Sequence, residues 1–501
     1  MLPTHLLRRL DIAVRHHPDL SSAMDVLGVL HPNRVLATEH QAGRVLTFGS
    51  AADLVARWSN AIAAKSELGT PVVIATPNGY DQFLLCLAVA RAGRLAVPVN
   101  DQMRPAEIDH VIADSGATLV IRSVTQLKGR FAAIDAATPD PEDVAALFYT
   151  SGTTGLPKGA ALTHRSLIGQ SSAGVLWPSH LRTDEVVAAL PVAHIMGFVT
   201  YLGLAMCGVA VYCLEHFHPV EVLEVIERRD PSGFIGVPAM YRMLEEAGAS
   251  ARDLRSIRVW GSGADSMPTD LIKRFKRYGA SACLPVVGPV GEAMFLEGYG
   301  MVEAGGGVAA KVSLPLVHVG VIESFGFRLP GNRFRVVDPD GRSLPVGAVG
   351  ELWVKGPGIL REYWRSAEAT RQTLTDDGWL RTGDLVRSGP FGTIVFQGRQ
   401  KHVLKSGGYS VYPLEVEAAI EEHPDVLEAA VVGLPHETLG QVPAAAVRLR
   451  PRAKVTVDEL LAWCDERLAE YKAPRRILVV KTLPKTGTNK VAKDRVTELF
   501  A

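Results

Sequence analysis

The residues from Tyr149 to Gly159, YTSGTTGLPKG, have the types and spacing to hold a phosphate group. Glycines allow main-chain N–H groups to turn toward an anion, and hydroxyl side chains donate further hydrogen bonds. Lys158 adds a positive charge on a flexible side chain. A Walker A loop is excluded, because only two residues separate Gly152 from Gly155 and a glycine follows the lysine. We interpret the stretch as a flexible phosphate-binding loop; an ordinary surface turn is the alternative.

Three further stretches carry residues that suit a nucleotide. Tyr299 stands between two glycines and offers a ring face for stacking a base, and Glu303 offers oxygen to Mg²⁺. Asp384 follows a Thr-Gly turn, where its carboxylate can accept hydrogen bonds from both hydroxyls of a ribose. Residues 261–264 are small and let a flat ligand approach the backbone. Each stretch also occurs as a plain turn, so none identifies a ligand alone.

The elements that must position these residues alternate between strand and helix patterns. From residue 47 to residue 123 we predict helices at 51–65, 81–92 and 105–115 and strands at 72–75, 95–99 and 119–121. From 186 to 287 we predict a helix at 219–229 and strands at 209–214, 234–237 and 257–260. Such alternation predicts mostly parallel sheets covered on both faces, with ligands at the carboxyl ends of the strands.

The sequence pattern changes after residue 326. Short strands with turn signals predict a small, mainly antiparallel subdomain. In the last hundred or so residues, Pro413 suits the start of a helix, and Thr456 and Glu459 have capping-box spacing. We therefore predict an α/β fold with a large N-terminal domain of doubly wound sheets plus a small β-subdomain at 1–400. A small α+β C-terminal domain should follow at 401–501.

Composition indicates a globular protein. Of 501 residues, 47% are hydrophobic and 21% charged. Lys plus Arg and Asp plus Glu both number 53, so no overall charge attracts nucleic acid or an anionic membrane. The five cysteines lack metal-ligand spacing, which indicates reduced, mostly buried thiols in a cytoplasmic protein. Residues 186–214 lack charged side chains, but Pro191 and several glycines break them into strand, loop, helix and strand. We expect no transmembrane segment; peripheral membrane contact and a homodimer stay open.

The order and spacing of these motifs resemble the adenylate-forming (AMP-binding) superfamily over nearly the whole chain. The resemblance is greatest to its acyl-CoA synthetases, including fatty-acid–CoA ligases. It implies ATP, Mg²⁺, CoA and a small-molecule carboxylic acid as ligands. It implies that the ATP phosphates are held by the residues Thr150, Ser151, Gly152, Thr153, Thr154, Gly155 and Lys158. It implies an adenine and ribose site formed by the residues Ser262, Gly263, Ala264, Tyr299, Gly300, Asp384 and Arg399.

The same resemblance implies roles in catalysis and in domain movement. Catalysis would fall to Thr150, Glu303 and Lys490, with Glu303 binding Mg²⁺ and Lys490 acting in the first half-reaction. The C-terminal domain would be mobile, with Lys401 as its hinge. The face used for CoA in the second half-reaction would be formed by the residues Gly407, Gly408 and Tyr409. The acid pocket would be lined by the residues His194, Phe198 and Gly305.

The implied reaction activates a carboxylic acid as an acyl adenylate and then transfers the acyl group to the thiol of CoA. No aspartate between residues 186 and 214 can meet a substrate ammonium, so we expect a fatty acid or another apolar acid. We expect the glycines at 305–307 to leave space for it. Two alternatives stay open. One is transfer to the phosphopantetheine of a carrier protein. The other is a weakly active nucleotide-binding relative, because Val302 stands where the family has Thr or Ser.

Overall fold

The computed structural model describes residue 9 and residues 19–150, 157–178, 183–284, 286–315, 324–389, 392–407, 409–485 and 491–501. The described chain divides into two compact units. The first contains the residues up to Arg333 together with Lys355–Leu380, and the second contains Phe334–Val354 together with Arg381–Ala501. Strands and helices alternate along the first unit, which confirms the predicted α/β class.

The elements are numbered in chain order. The strands are β1 Val35–Glu39, β2 Val45–Thr47, β3 Pro71–Ile74, β4 Leu95–Pro98, β5 Leu119–Ile121, β6 Val144–Thr150, β7 Lys158–Thr163, β8 Glu185–Ala188, β9 Ala210–Cys213, β10 Gly233–Gly236, β11 Val259–Gly263, β12 Ala282–Leu284, β13 Gly288–Val290, β14 Met294–Met301, β15 Gly306–Ser313, β16 Phe327–Arg328, β17 Arg333–Val337, β18 Val349–Lys355, β19 Glu362–Tyr363, β20 Leu380–Ser388, β21 Ile394–Arg399, β22 Leu404–Ser406, β23 Tyr409–Val411, β24 Val426–His436, β25 Gly440–Leu449 and β26 Arg476–Val479. The α-helices are α1 Ala23–Leu30, α2 Phe48–Ala63, α3 Tyr80–Arg91, α4 Pro105–Ser115, α5 His164–Ile168, α6 Ile195–Met206, α7 Pro219–Arg229, α8 Pro238–Glu246, α9 Thr269–Tyr278, α10 Ala367–Thr373, α11 Pro413–Glu421, α12 Val457–Arg467 and α13 Lys493–Glu498.

A six-stranded sheet in the first unit leads into the predicted phosphate loop. Its strand order is β19-β7-β6-β4-β3-β5. Strands β3 to β6 are parallel, whereas β7 and β19 are added antiparallel at one edge. Val73, Val97 and Leu147 from three of these strands pack with Val111 of α4. Because β6 ends at Thr150, the loop leaves the sheet at the carboxyl edge, where parallel sheets bind ligands.

A nine-stranded sheet forms the larger part of the first unit, in the order β16-β15-β14-β11-β10-β8-β9-β1-β2. The strands from β14 to β1 in that order are parallel, and the outer ones pair antiparallel. Edge-to-face rings of Phe234, Tyr241, Trp260 and Phe275 fill one core. The sequence β8, α6, β9 confirms the predicted order for 186–214. No helix of the described residues is long and apolar enough to cross a membrane.

The second unit contains two smaller sheets. The first has the order β17-β18-β20-β21, with β20 and β21 antiparallel. The second has the order β23-β22-β25-β24, with β26 parallel to β25. Helix α11 begins at Pro413, and α12 begins with the capping box of Thr456 and Glu459, so both predicted helix starts are confirmed. The helices pack on the second sheet through the buried residues Val416, Ile420, Leu460 and Cys464.

All five cysteines are free thiols, and three of them are buried. Burial raises the pKa of Cys213 to about 12 and the pKa of Cys464 to about 11. Buried thiols with raised pKa values are poor nucleophiles. The prediction of reduced, mostly buried cysteines is therefore confirmed.

Candidate functional site

The predicted phosphate loop connects the two strands of a hairpin. Thr150 ends β6 and Lys158 begins β7, and the two residues are paired across the hairpin. The Thr150 hydroxyl donates to the Lys158 carbonyl at 3.5 Å, while the Lys158 side chain is exposed. The loop residues Ser151, Gly152, Thr153, Thr154 and Gly155 lie outside the described residues, so their role stays a prediction. The hairpin nevertheless fixes both ends of the loop on a rigid sheet.

Glu303 lies in a short 3₁₀ turn, Val302–Ala304, between β14 and β15. Its Oε1 accepts a hydrogen bond of 2.6 Å from the hydroxyl of Tyr363. The ring of the same tyrosine lies 5.9 Å from the Nζ of Lys158. One aromatic side chain thus contacts both the carboxylate expected at the metal and the cation expected at the phosphates.

Gly305 follows that turn with a left-handed backbone, at a φ of 62°. A Cβ atom at this position would lie 2.6 Å from the Ser166 carbonyl oxygen and 2.7 Å from the Gly358 carbonyl oxygen. Backbone therefore fills the volume beside Gly305, and the expectation of open space there is wrong. Around Gly307 the nearest atom is Leu329 Cδ1 at 3.6 Å, so space remains two residues later. Membership of Gly305 in an acid pocket stays a prediction.

The residues expected around adenine lie on adjacent strands. Ser262 and Gly263 pair with Glu297 and Gly298 of β14, one residue before Tyr299. We expected a loop from Gly261, but β11 continues to Gly263 because it pairs with β10 on one side and β14 on the other.

The chain leaves the sheet at Ala264, whose φ of 70° is strained for a residue with a side chain. The Ser262 hydroxyl is buried without a hydrogen-bond partner among the described residues. A strained turn and an unsatisfied hydroxyl at the carboxyl end of a parallel strand are features of binding sites.

Tyr299 is nearly buried, and its ring stacks on the ring of Phe325. The ring centroids lie 4.4 Å apart with an interplanar angle of 13°. One face of Tyr299 is therefore covered by an aromatic neighbour, so a base would have to stack on the other face. Gly300 is required next to it, because a Cβ there would lie 1.9 Å from the Gly306 carbonyl oxygen.

The segment that leads into His194, a residue expected to line the acid pocket, is held by the side chain of Asn78. Its amide donates to the Glu215 carbonyl at 2.8 Å, and its oxygen accepts from the Val192 amide at 2.9 Å. His194 caps α6, with Nδ1 accepting from the Met196 amide at 3.3 Å. This contact gives His194 a structural role as a helix cap. Its role in the acid pocket stays a prediction.

Phe198 is fully buried in the core of the first unit. Its ring lies 5.6 Å from that of Phe83 and 5.3 Å from that of Phe148. Such packing accounts for an aromatic residue at this position. A place for Phe198 in the acid pocket stays a prediction.

The two residues expected at the ribose pair with each other across β20 and β21. Arg399 Nε lies 2.6 Å from Asp384 Oδ1, and the carboxylate is 1% exposed. The Thr382 hydroxyl accepts from the Asp384 amide at 3.1 Å and donates to the Leu352 carbonyl at 2.6 Å. The Thr-Gly-Asp turn is therefore built to hold one buried carboxylate in a fixed orientation.

The expected hinge residue Lys401 lies in a 3₁₀ turn, Gln400–His402, directly after β21. Burial, followed by the charge of Arg399, lowers the pKa of Lys401. Burial and the nearby cations lower the pKa of His402 to about 4. The turn thus gathers positive charge at the point where the hinge is predicted, with Asp494 as the nearby opposing charge.

Of the residues expected at the CoA face, Gly407 directly follows β22, and Tyr409 begins β23, where it pairs with Ser406. Tyr409 is exposed and stacks on Tyr471, with ring centroids 4.5 Å apart. Gly408 and the predicted catalytic Lys490 lie outside the described residues. The bridge of Lys485 with Val491 joins the two chain segments that flank 486–490.

A magnesium ion fits the donor at Glu303 if ATP supplies the other ligands. Within the described residues no group of three or more His, Cys, Asp and Glu could hold a metal. Mg²⁺ is commonly bound by one or two carboxylates together with substrate phosphates. Glu303 would hold the ion, which would neutralise charge on the phosphate oxygens.

Two family models match the chain. Residues 29–364 match the AMP-binding enzymes, and residues 415–490 match the AMP-binding enzyme C-terminal domain. The chain belongs to the AMP-binding enzyme family. This enzyme is 33% identical to feruloyl-CoA synthase of an Amycolatopsis species over 483 residues, covering 91% of this chain and 94% of that protein.

Two solved structures show the same fold. MatB from Rhodopseudomonas palustris with bound ATP is similar with a TM-score of 0.84 at 28% identity, covering 96% of this chain and 99% of that one. The o-succinylbenzoate CoA synthetase MenE from Bacillus subtilis, in complex with ATP and a magnesium ion, reaches 0.81 at 25% identity, covering 95% and 98%. The family and its named relatives identify the chain as an AMP-forming acid–thiol ligase.

Sequence reasoning missed two residues that contact the candidate site of this AMP-binding enzyme. Tyr363 stands in a stretch without turn or capping signals, and its contact with Glu303 joins residues far apart in the chain. Asn78 follows a proline after β3 and looks like an ordinary loop asparagine. The one sequence signal for a functional residue was a position at the end of a strand. The strand predicted at 72–75 gave that signal for Asn78.

Proposed function

We propose that the enzyme activates an apolar carboxylic acid with ATP and Mg²⁺ and transfers the acyl group to CoA, with release of AMP and pyrophosphate. The observation that carries the proposal is the arrangement of Lys158, Tyr363 and Glu303 at the base of the phosphate loop. The arrangement supplies a cation for the phosphate oxygens and a carboxylate for the metal, and both groups contact the side chain of Tyr363. Adenylation needs positioning and positive charge more than covalent catalysis.

The apolar acid is supported by the surroundings of α6. The described residues from Val186 to Leu214 carry no formal charge apart from any on His194, and most are buried. A substrate ammonium would find no carboxylate there, and burying it unpaired would be costly. The feruloyl-CoA synthase relative carries an aryl acid in its name, so aryl acids stand beside fatty acids as candidates.

The remaining predicted roles complete the proposal. Lys490 supplies its ammonium to the adenylation step, and Asp384 and Arg399 take the ribose. The C-terminal domain, 401–501, turns about Lys401 between the half-reactions. Gly407, Gly408 and Tyr409 then serve the CoA step. The free thiols fit a reducing compartment, and we place the enzyme in the cytoplasm.

The proposal is tested by pyrophosphate release from ATP and Mg²⁺ over a panel of aryl, short-chain, long-chain and steroid acids, each with and without CoA. We expect turnover that depends on one acid class and forms its CoA thioester. Acyl adenylate without CoA thioester would favour a carrier-protein thiol as the acceptor. ATP binding without pyrophosphate from any acid would contradict the proposal and point to Val302, whose Val302→Thr variant restores the family hydroxyl.

A further inference from the structure

A short segment, residues 360–364, fastens the turn of Glu303 to strand β7. Its first amide donates to the Glu303 carbonyl at 2.8 Å, and its last amide donates to the Gly159 carbonyl at 2.7 Å. Between these two hydrogen bonds β19 pairs antiparallel with β7, with Tyr363 opposite Ala160. The backbone therefore fixes where the Tyr363 side chain starts, between the metal turn and the phosphate hairpin.

The hydroxyl of Tyr363 acts as a donor to Glu303. It lies 2.6 Å from Oε1, which is within hydrogen-bond distance. The phenol O–H is the donor of this hydrogen bond, because a carboxylate oxygen accepts.

The ring of Tyr363 also contacts the ammonium group of Lys158. The ammonium lies 5.9 Å from the ring centroid, in the range of a cation–π contact. Among the described residues no salt bridge joins Lys158 to Glu303. Tyr363 contacts Lys158 through its ring and Glu303 through its hydroxyl, so one side chain reaches both groups without joining them in a salt bridge.

We propose that Tyr363 is a positioning residue for the magnesium ion. Its hydroxyl orients the Glu303 carboxylate through Oε1 and leaves Oε2 for the metal. This role rests on the proposed function of Glu303 as the magnesium ligand. A hydrogen bond to one oxygen restricts rotation of the carboxylate before the metal arrives. Loss of such a supporting hydrogen bond typically lowers metal affinity by about 10-fold to 100-fold.

The test measures metal binding without turnover. Mn²⁺ replaces Mg²⁺ and α,β-methylene-ATP replaces ATP. Mn²⁺ bound to the protein is counted from the loss of the free-ion EPR signal beyond the loss that the analogue causes without protein. We expect Tyr363→Phe to weaken Mn²⁺ binding by about 10-fold. Tyr278→Phe is the matched control, because its hydroxyl donates to another glutamate, Glu245, at 3.1 Å outside the site. Equal Mn²⁺ affinity in Tyr363→Phe and the wild type would overturn the role of Tyr363.

A second measurement separates positioning from general damage. Glu303→Gln alone and combined with Tyr363→Phe are compared by the same Mn²⁺ titration. If Tyr363 acts through the carboxylate, the double variant should bind Mn²⁺ as Glu303→Gln does, whereas a further loss would overturn the proposal. Binding of the analogue without metal should be unchanged in Tyr363→Phe. Wild-type protein that binds neither analogue nor metal would instead contradict the proposed function.

Discussion

Replacing Gly305 by alanine should disturb the turn that carries Glu303. The backbone at Gly305 has a φ of 62°, and a left-handed conformation costs a residue with a Cβ about 1 kcal/mol. The new methyl group would lie 2.6 Å and 2.7 Å from two carbonyl oxygens, those of Ser166 and Gly358. Ordinary contacts between carbon and oxygen are about 3.3 Å, so the turn must shift by roughly half an ångström or more.

This overpacking adds about 1–3 kcal/mol, so the total destabilisation is about 2–4 kcal/mol. Glu303 stands two residues away, and a shift of this size in a catalytic group slows a reaction by about 10-fold to 100-fold. The free energy of unfolding is measured in urea, and the adenylation rate is measured by pyrophosphate release.

Gly307→Ala is the matched control for Gly305→Ala. Gly307 is exposed, and the nearest atom to an added Cβ is Leu329 Cδ1 at 3.6 Å. We expect its free energy of unfolding to change by less than about 0.5 kcal/mol. Equal stability and equal adenylation in the two variants would refute the reasoning, because Ser166 and Gly358 would then have yielded without cost.

Three further predictions concern the second unit. Arg399→Ala removes the cation that faces the buried Asp384 and should cost about 3 kcal/mol, whereas Asp384→Ala leaves a half-exposed guanidinium and should cost about 1 kcal/mol. The pKa of His402 is about 4 in the folded chain against an ordinary 6.5, so the unfolded chain binds more protons between these values. Stability present above pH 6.5 is therefore lost as the pH falls toward 4, by on the order of 1 kcal/mol at this half-exposed site, and His402→Gln should remove that loss. Lys490→Ala should slow adenylation by ~10²–10³ and leave thioester formation from supplied acyl adenylate largely intact.

Each of these predictions has an outcome that contradicts it. If urea unfolding shows Asp384→Ala to be the less stable of the two variants, the buried carboxylate that has lost Arg399 is not the costly partner. The free energy of unfolding is measured between pH 4 and 6.5. If His402→Gln leaves its pH dependence unchanged, that dependence belongs to other groups. Retention of both half-reactions in Lys490→Ala would remove Lys490 from the chemistry.

The fold was largely predictable, because its signals are local. Alternating strand and helix patterns gave the parallel sheets, and Pro413 and Thr456 marked the starts of two helices. The small residues at 261–263 suggested a loop, but they belong to a strand. The strand continues through the glycines because it is paired on both sides.

The candidate site was predictable only where a single stretch carries the chemistry. The Ser, Gly and Thr residues that follow Thr150 marked the phosphate loop as a prediction, but the antiparallel pairing of Thr150 with Lys158 was not predicted. Tyr363 reaches Glu303 through a two-residue strand at the sheet edge, and no local pattern records that pairing. The carbonyl oxygens that crowd Gly305 also come from distant parts of the chain.

The central claim is that Glu303 and its neighbours activate an acid as an adenylate. Its most direct test is exchange of labelled pyrophosphate into ATP, which reports adenylation without CoA. Wild-type enzyme should show exchange that requires both Mg²⁺ and an apolar acid, and Glu303→Gln should lower the exchange rate by at least ~10²-fold. Exchange that proceeds without any acid, or that survives in Glu303→Gln, would contradict the account.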